Sequence, residues 1–140
     1  MDRLFEFVGD GESARTGSLG RSVAGDDGVA VAGDFGTAIA GDTGIAVAGD
    51  FGYAVAGAGG IAMTGQFGTS IAEVGGMAKA GPGGIITIAG TDEDGSRYTV
   101  SAEVDADGGP SPDVLYGLEN HRFVVARPEL AERHRFAEVN

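Results

Sequence analysis

The chain alternates four turn-forming positions with four strand-forming positions, and this eight-residue pattern runs ten times from Val8 to Thr87. The central copies read AGDFGTAI and AGDTGIAV, with Gly-Asp-x-Gly in the turn half and Ala with β-branched residues in the strand half. Gly and Asp favour tight turns, and β-branched residues favour strands. A helix is implausible because each Gly would cost it about 1 kcal/mol. The pattern predicts a repeated unit of one strand and one tight turn.

A second period, of sixteen residues, indicates how many octads close one coil. The fourth octad position holds Leu19, Phe35, Phe51 and Phe67 in alternate octads, while the octads between carry Asp, Thr or Gly there. We therefore predict two octads per coil, with residues sixteen apart stacked at the inter-strand spacing of about 4.8 Å. The expected fold is an all-β solenoid of about five coils, roughly 24 Å long. The Leu and Phe side chains would form a ladder along one edge.

The strand half of the octad predicts which side chains face the interior. The seventh position is nearly always Ala or Ser and the first is mostly Ala, so we expect both to point inward between two sheets. One sheet would then expose an apolar row, which we predict to be covered by a second copy of the chain, most simply in a dimer. This apolar row consists of Val29, Val31, Ile45, Val47, Ile61, Met63 and Met77. The opposite arrangement, with the large residues inside, would bury Arg15, Arg21 and Lys79 and would require no oligomer.

After Thr87 the octad register ends and a different pattern begins. The DEDG segment lies between two strand-like segments and predicts a hairpin turn, and DVLYGL and RFVVA predict two further short strands. Pro128 stands at a helix-start position in RPELAERHRF, which predicts a short helix. We divide the chain into an N-terminal cap strand (1–7), a solenoid (8–87) and a C-terminal β-hairpin cap with a short helix (88–140). Such a cap would cover a solenoid end that otherwise templates aggregation.

These octads, two per coil and beginning Ala-Gly, are similar to the repeats of ice-nucleation proteins and to the head repeats of trimeric autotransporter adhesins. The whole layout resembles uncharacterised phage and prophage octapeptide-repeat β-solenoid proteins with a C-terminal β cap. The segments that carry this likeness outside the octads are residues 84–89 and VDADGGPSPDVLYGLENHRFV. The resemblance implies a solenoid fold and an origin in a mobile element, and it implies no activity.

The charge of the chain narrows its possible partners. The 140 residues include no Cys and carry 21 Asp plus Glu against 9 Lys plus Arg, a net charge of −12. Repulsion opposes direct binding to nucleic acid or to an anionic membrane and favours a basic protein partner. The apolar stretch near the N-terminus is too short for a signal sequence, and no run reaches the roughly 18 apolar residues of a membrane span. We expect a cytoplasmic protein, in the host cytoplasm if phage-encoded.

The sequence offers no catalytic constellation. His121 and His134 are the two histidines, and neither lies near a nucleophile motif. The many glycine-rich matches to a dinucleotide fingerprint come from repeats that continue into strands instead of helices. We expect neither enzymatic activity nor a cofactor.

The aspartates at the third octad position should form two rows, with Asp10, Asp26 and Asp42 on one edge and Asp34 and Asp50 on the other. Their simplest role is to accept a hydrogen bond from the backbone of their own turn. Calcium is an alternative, but the ion requires six to eight oxygens and each turn offers one carboxylate. Neighbouring carboxylates about 5 Å apart repel by roughly 0.8 kcal/mol, which a basic partner would relieve.

These observations predict a non-enzymatic acidic binding protein that inhibits or sequesters a basic nucleic-acid-binding host protein by nucleic-acid mimicry. The alternative is a structural or adhesive solenoid of a phage or cell surface that assembles with itself. Ice binding would require regular rows of Thr, and only Thr37 and Thr69 fit. The acidic candidates for partner binding are Asp26, Asp34, Asp42, Asp50, Asp92, Glu93 and Asp94.

Overall fold

The computed structural model of the chain describes residues 5–105, 109–119 and 121–125. Within these ranges the chain forms fourteen β-strands and no helix. The helix predicted at Pro128 lies outside the described residues, as does His134.

The strands form two facing sheets of seven strands each. In chain order they are β1 (Phe5–Phe7), β2 (Ser13–Arg15), β3 (Arg21–Val23), β4 (Val29–Val31), β5 (Thr37–Ala40), β6 (Ile45–Val47), β7 (Tyr53–Ala56), β8 (Ile61–Met63), β9 (Thr69–Ala72), β10 (Met77–Lys79), β11 (Ile85–Thr91), β12 (Arg97–Glu103), β13 (Tyr116–Glu119) and β14 (Arg122–Val125). Sheet I has the order β1-β3-β5-β7-β9-β11-β12, and sheet II has the order β14-β13-β10-β8-β6-β4-β2.

The register of the strands shows that two octads make one coil. Strands of the same sheet pair in parallel with partners sixteen residues apart, as Val29 does with Ile45 and Thr37 with Tyr53. Successive octads therefore alternate between the sheets, and two tight turns close each coil. The predicted all-β solenoid of about five coils is confirmed.

The interior of the solenoid is a thin layer of alanine. Ala at the seventh octad position, for example Ala30 and Ala46, is fully buried, whereas residues at the sixth and eighth positions lie outside. The arrangement with small residues inside is confirmed, and the opposite arrangement is wrong because Arg15 and Arg21 are exposed.

In two of the octads, a Thr and a Ser stand at the first and seventh positions, where the interior otherwise has alanine. Thr16 bonds Ser22 at 2.9 Å, and Thr64 bonds Ser70 at the same distance. The Ser22 hydroxyl also donates to a backbone carbonyl at 2.7 Å. Because these buried hydroxyls have partners, they do not destabilise the apolar interior.

Each tight turn places its fourth octad residue in the left-handed backbone region. Phe35 has φ +57°, Phe51 has φ +58° and the β-branched Thr43 has φ +56°. This conformation costs a residue with a side chain about 1–2 kcal/mol relative to the right-handed region. A backbone bond from the fifth residue to the second closes the turn, as in Gly36 N–H to Gly33 C=O at 3.0 Å.

The cap continues both sheets beyond the last coil. Strand β11 turns at DEDG and pairs with the antiparallel strand β12, so the predicted hairpin is confirmed. Strands β13 and β14 pair with each other, and Tyr116 of β13 pairs with Ala78 of β10, so the two further strands are also confirmed. Larger side chains now fill the interior, including the fully buried Ile86 and Ile88.

At the opposite end, strand β1 pairs in parallel with β3 and turns a charged side chain inward. Glu6 lies beside the buried Ser22 in register, and its Oε2 accepts the backbone N–H of Arg15 at 2.9 Å. An inward-pointing charge on an edge strand discourages pairing with another sheet.

Candidate binding surfaces

The turns of alternate octads form two edges that run along the solenoid. The aromatic edge comprises residues 17–20, 33–36, 49–52, 65–68 and 81–84. The polar edge comprises residues 9–12, 25–28, 41–44, 57–60 and 73–76. Asp34 and Asp50 belong to the aromatic edge and Asp26 and Asp42 to the polar edge, as the sixteen-residue period predicts.

The octad aspartates bond between coils, so the prediction that each serves its own turn is wrong. On the polar edge, Oδ1 of Asp26 accepts the backbone N–H of Asp42 at 2.9 Å, and Oδ1 of Asp42 accepts that of Ala58 at 3.0 Å. On the aromatic edge, Oδ1 of Asp34 accepts the N–H of Asp50 at 2.9 Å. The backbone bond already closes each turn, and the N–H of the third residue points along the solenoid toward the carboxylate of the coil before. Each bond uses one carboxylate oxygen and leaves Oδ2 for another donor.

The same contact explains the glycine before each of these turns. A Cβ added to Gly41 would lie 2.3 Å from Oδ1 of Asp26, and one added to Gly49 would lie 2.3 Å from Oδ1 of Asp34. The glycine of one coil therefore makes room for the carboxylate of the coil before it. Both halves of the Gly-Asp motif therefore serve coil stacking, a role that the sequence pattern alone did not predict.

The predicted ladder is present on the aromatic edge. The rings of Phe35 and Phe51 stack with centroids 5.0 Å apart and planes 4° apart, and those of Phe51 and Phe67 stack at 5.2 Å and 16°. The ladder ends at Gly83, where a Cβ would lie 2.6 Å from the Phe67 ring. Because the ring faces cover one another, the rings present their edges to solvent.

Much of this ladder is accessible. Phe35, Phe51 and Phe67 are 59%, 53% and 56% exposed, and Leu19 at the start of the ladder is 73% exposed. Tyr53, which follows Phe51 on strand β7, is 42% exposed. The aromatic edge is therefore an apolar surface as well as a row of carboxylates.

The apolar row lies on the outer face of sheet II, where its residues stack in two columns. Ile45 stands between Val29 and Ile61, and Val47 stands between Val31 and Met63. All seven members of the row are half-buried. The most exposed apolar side chains of the solenoid lie elsewhere, on the aromatic edge and on sheet I. The sixteen-residue period predicted the ladder only as a structural feature, although large apolar residues at a turn position filled elsewhere by Gly, Asp or Thr were a signal of an exposed surface.

The remaining acidic candidates, Asp92, Glu93 and Asp94, form the acidic tip of the β11–β12 hairpin. All three are exposed, and with His121 they line a shallow cleft of about 480 Å³. Nε2 of His121 lies 2.7 Å from Oδ1 of Asp92, and its ring stacks on Tyr98 with centroids 3.8 Å apart. These contacts connect the hairpin to the turn between β13 and β14.

One carboxylate of the acidic tip serves its own turn. The backbone N–H of Ser96 donates to Oδ1 of Asp94 at 2.9 Å. This bond, together with the Ser96 hydroxyl, lowers the pKa of Asp94 below its ordinary value.

The acidic candidates do not form one surface. Arg97 at the base of the acidic tip forms an ion pair with Glu73, which belongs to the polar edge. The acidic tip therefore lies at the end of the polar edge, in line with Asp26 and Asp42. Asp34 and Asp50 lie on the aromatic edge, across the width of the solenoid.

Within the described ranges, no three His, Cys, Asp or Glu side chains come together as a metal site. No helix in those ranges is long and apolar enough to cross a membrane. Comparison with protein-family models, with curated proteins and with solved structures finds no match to this chain. The resemblance to phage octapeptide-repeat proteins stays a prediction from the sequence.

Proposed function

We propose that this chain is a non-enzymatic acidic binding protein of the host cytoplasm that occupies the nucleic-acid site of a basic host protein by mimicry. The observation that carries the proposal is the arrangement of charge on a chain of net charge −12. Carboxylates lie sixteen residues apart in successive coils, three on the polar edge and two on the aromatic edge, and hydrogen bonds between coils hold them in place. Direct binding to nucleic acid or to an anionic membrane is opposed by the same charge.

The fixed carboxylates support tight binding for two reasons. A preordered array avoids the entropy cost of ordering flexible acidic side chains on association. Neighbouring carboxylates at the coil spacing also repel one another by roughly 0.8 kcal/mol in water, and a basic partner relieves that repulsion.

A fluorescently labelled oligoarginine peptide and short duplex DNA test the proposal by anisotropy. We expect the protein to bind the peptide, to lose affinity steeply as salt rises, and to compete with the DNA for it. Replacing Asp26, Asp34, Asp42 and Asp50 with Asn should keep the bonds between coils, since the amide oxygen also accepts, while weakening binding. No binding at low salt, or affinity unchanged in the fourfold variant, would overturn the proposal.

Self-association is the second candidate function, and the half-buried apolar row favours it. Its residues form one contiguous patch on sheet II, which a second copy could cover. Replacing Ile45 and Val47 with Lys should convert a dimer into a monomer. Thr37 and Ile39 occupy the same octad positions on sheet I, and the matched control replaces these two residues with Lys. Sedimentation that finds the unmodified protein monomeric at high concentration would contradict this candidate.

A further inference from the structure

The aromatic edge carries side chains that its turns do not require. The polar edge fills the same left-handed position with Gly in three turns and with the short polar residues Asp27 and Thr43 in the other two. On the aromatic edge the chain instead places Phe at three successive turns, at a cost in backbone strain. Stacking between the rings offsets part of this cost, but each ring stays more than half exposed. The ladder therefore resembles a contact surface more than a part of the core.

The exposed area of the ladder fits a contact with another molecule. An aromatic side chain has roughly 150–250 Å² of surface, so each of these rings leaves on the order of 100 Å² in solvent. With Leu19 the ladder presents on the order of 400 Å², within the size range of functional apolar patches on monomers. That area is about half of what one partner contributes to a standard protein interface.

Charge complementarity indicates which occupant fits this edge. Asp34 and Asp50 immediately precede Phe35 and Phe51, and each uses one oxygen in a bond between coils. A second copy docked edge to edge would bring like charges together, whereas a basic partner would neutralise them. The exposed ring edges carry the positive part of the aromatic quadrupole, so they pack best against aromatic faces or aliphatic groups.

We propose that the aromatic edge binds a protein segment in which Arg side chains lie next to aromatic or aliphatic side chains. The Arg side chains pair with Asp34 and Asp50, and the apolar side chains pack against the ladder. This inference rests on the proposed function and assigns the basic partner to one edge.

Two short peptides of equal charge test it, one alternating Arg with Trp and the other alternating Arg with Ser. We expect the Arg–Trp peptide to bind about tenfold more tightly, the fold-change that a well-packed anchor residue typically supplies. Replacing Phe35, Phe51 and Phe67 with Asn, which tolerates the left-handed region, should abolish this preference. The matched control replaces Asp27 and Thr43 with Asn at the same turn position of the polar edge and should keep it.

The outcomes separate the two proposals. If neither peptide binds, the proposed function fails. If both peptides bind equally well, or if both variants lose the preference equally, only the assignment to the aromatic edge fails. A ladder variant that loses self-association, with peptide binding unchanged, would assign the edge to a second copy of the chain and overturn the inference.

Amide hydrogen exchange of the unmodified protein gives an answer that does not depend on how the variants fold. We expect the Arg–Trp peptide to protect residues 33–36 and 49–52 and to leave 25–28 and 41–44 unchanged. Protection confined to the polar edge would overturn the inference.

Discussion

The aromatic edge and the polar edge are built on the same turn and differ in one position of it. Both use a glycine that makes room for a carboxylate, an aspartate that bonds to the next coil, and a backbone bond that closes the turn. The fourth position holds Gly, Asp or Thr on the polar edge and mainly Phe on the aromatic edge. The Gly and Asp of the second and third positions therefore serve coil stacking, the backbone bond from the fifth position closes the turn, and the fourth position is where the two edges differ.

The largest expected effect tests the part that the two edges share. Replacing Gly41 on the polar edge or Gly49 on the aromatic edge with Ala places a Cβ 2.3 Å from a carboxylate oxygen and 2.8 Å from a backbone nitrogen. The coils must shift apart, so we expect each change to lower the free energy of unfolding by about 2–3 kcal/mol. Urea denaturation measures the free energy of unfolding of each variant. A difference of more than about 1 kcal/mol between the two variants would show that the edges do not share one turn.

Gly59→Ala is the matched control, because that residue also lies on an edge. Its added Cβ would have nothing closer than 3.4 Å and would meet only the cost of φ +70°. We expect a loss of about 1 kcal/mol, smaller than for Gly41 or Gly49.

A smaller effect tests the position in which the edges differ. Phe51→Asn removes two stacking contacts, which are worth about 0.5–1.5 kcal/mol each, and relieves part of the backbone strain. We expect a net loss of about 1 kcal/mol. Thr43→Asn on the polar edge removes the exposed hydrogen bond from the Thr43 hydroxyl to the Asp27 carboxylate, and it also relieves backbone strain. Because these two effects oppose each other, we expect the free energy of unfolding to change by less than about 0.5 kcal/mol. Equal losses in thermal denaturation would show that the ladder adds no stability.

The charges of the two edges give a third comparison. One variant replaces Asp26 and Asp42 with Asn, and the other replaces Asp34 and Asp50 with Asn. Each keeps an acceptor for every bond between coils and removes repulsion between carboxylates, so we expect the free energy of unfolding to change by no more than about 1 kcal/mol. The polar edge holds a longer acidic series, which includes Asp10. Salt screens the repulsion between neighbouring carboxylates and so raises the free energy of unfolding. This increase should therefore fall more in the polar-edge variant than in the aromatic-edge variant. Unfolding at low and high salt measures this, and identical salt dependences would contradict it.

The smallest effect contrasts these carboxylates with Asp94, which bonds within its own turn. Its pKa is lowered from the ordinary value of 3.8, mainly by the backbone N–H of Ser96 and further by the Ser96 hydroxyl. The carboxylate therefore favours the folded state above about pH 3.8, and this contribution is lost as pH falls through the lower folded pKa. We expect Ser96→Ala to raise the pKa of Asp94 only part of the way, because the backbone donor remains. A titration followed by NMR measures this pKa. An unchanged value in the variant would show that the Ser96 hydroxyl does not contribute to lowering it.

The sequence predicted those features that follow from a period. The eight-residue repeat predicted strands and turns, the sixteen-residue repeat predicted the coil and the ladder, and the small seventh residue predicted the alanine interior. These predictions succeed because a solenoid translates a period along the chain directly into stacking in space.

The sequence could not predict the features that depend on atoms from different coils. The hydrogen-bond donor for Asp26 lies sixteen residues away, at Asp42, whereas the turn chemistry of Asp suggests a neighbour. The exposure of Phe51 depends on the left-handed backbone of its turn, which apolar residues rarely adopt. The acidic tip lies near the polar edge because β11 extends to Thr91, and a pattern cannot fix that length.

The change from an alanine interior to a branched one also bears on the order in which the chain folds. Ile86, Ile88 and Val104 are the largest fully buried apolar side chains in the described residues, and they lie at the C-terminal end of the solenoid. A coil of alanine gains little from forming alone, whereas the capped end combines larger side chains with a local hairpin. We expect folding to start there and to proceed coil by coil toward the N-terminus. During synthesis on the ribosome, the coils made first would then be the last to become stable.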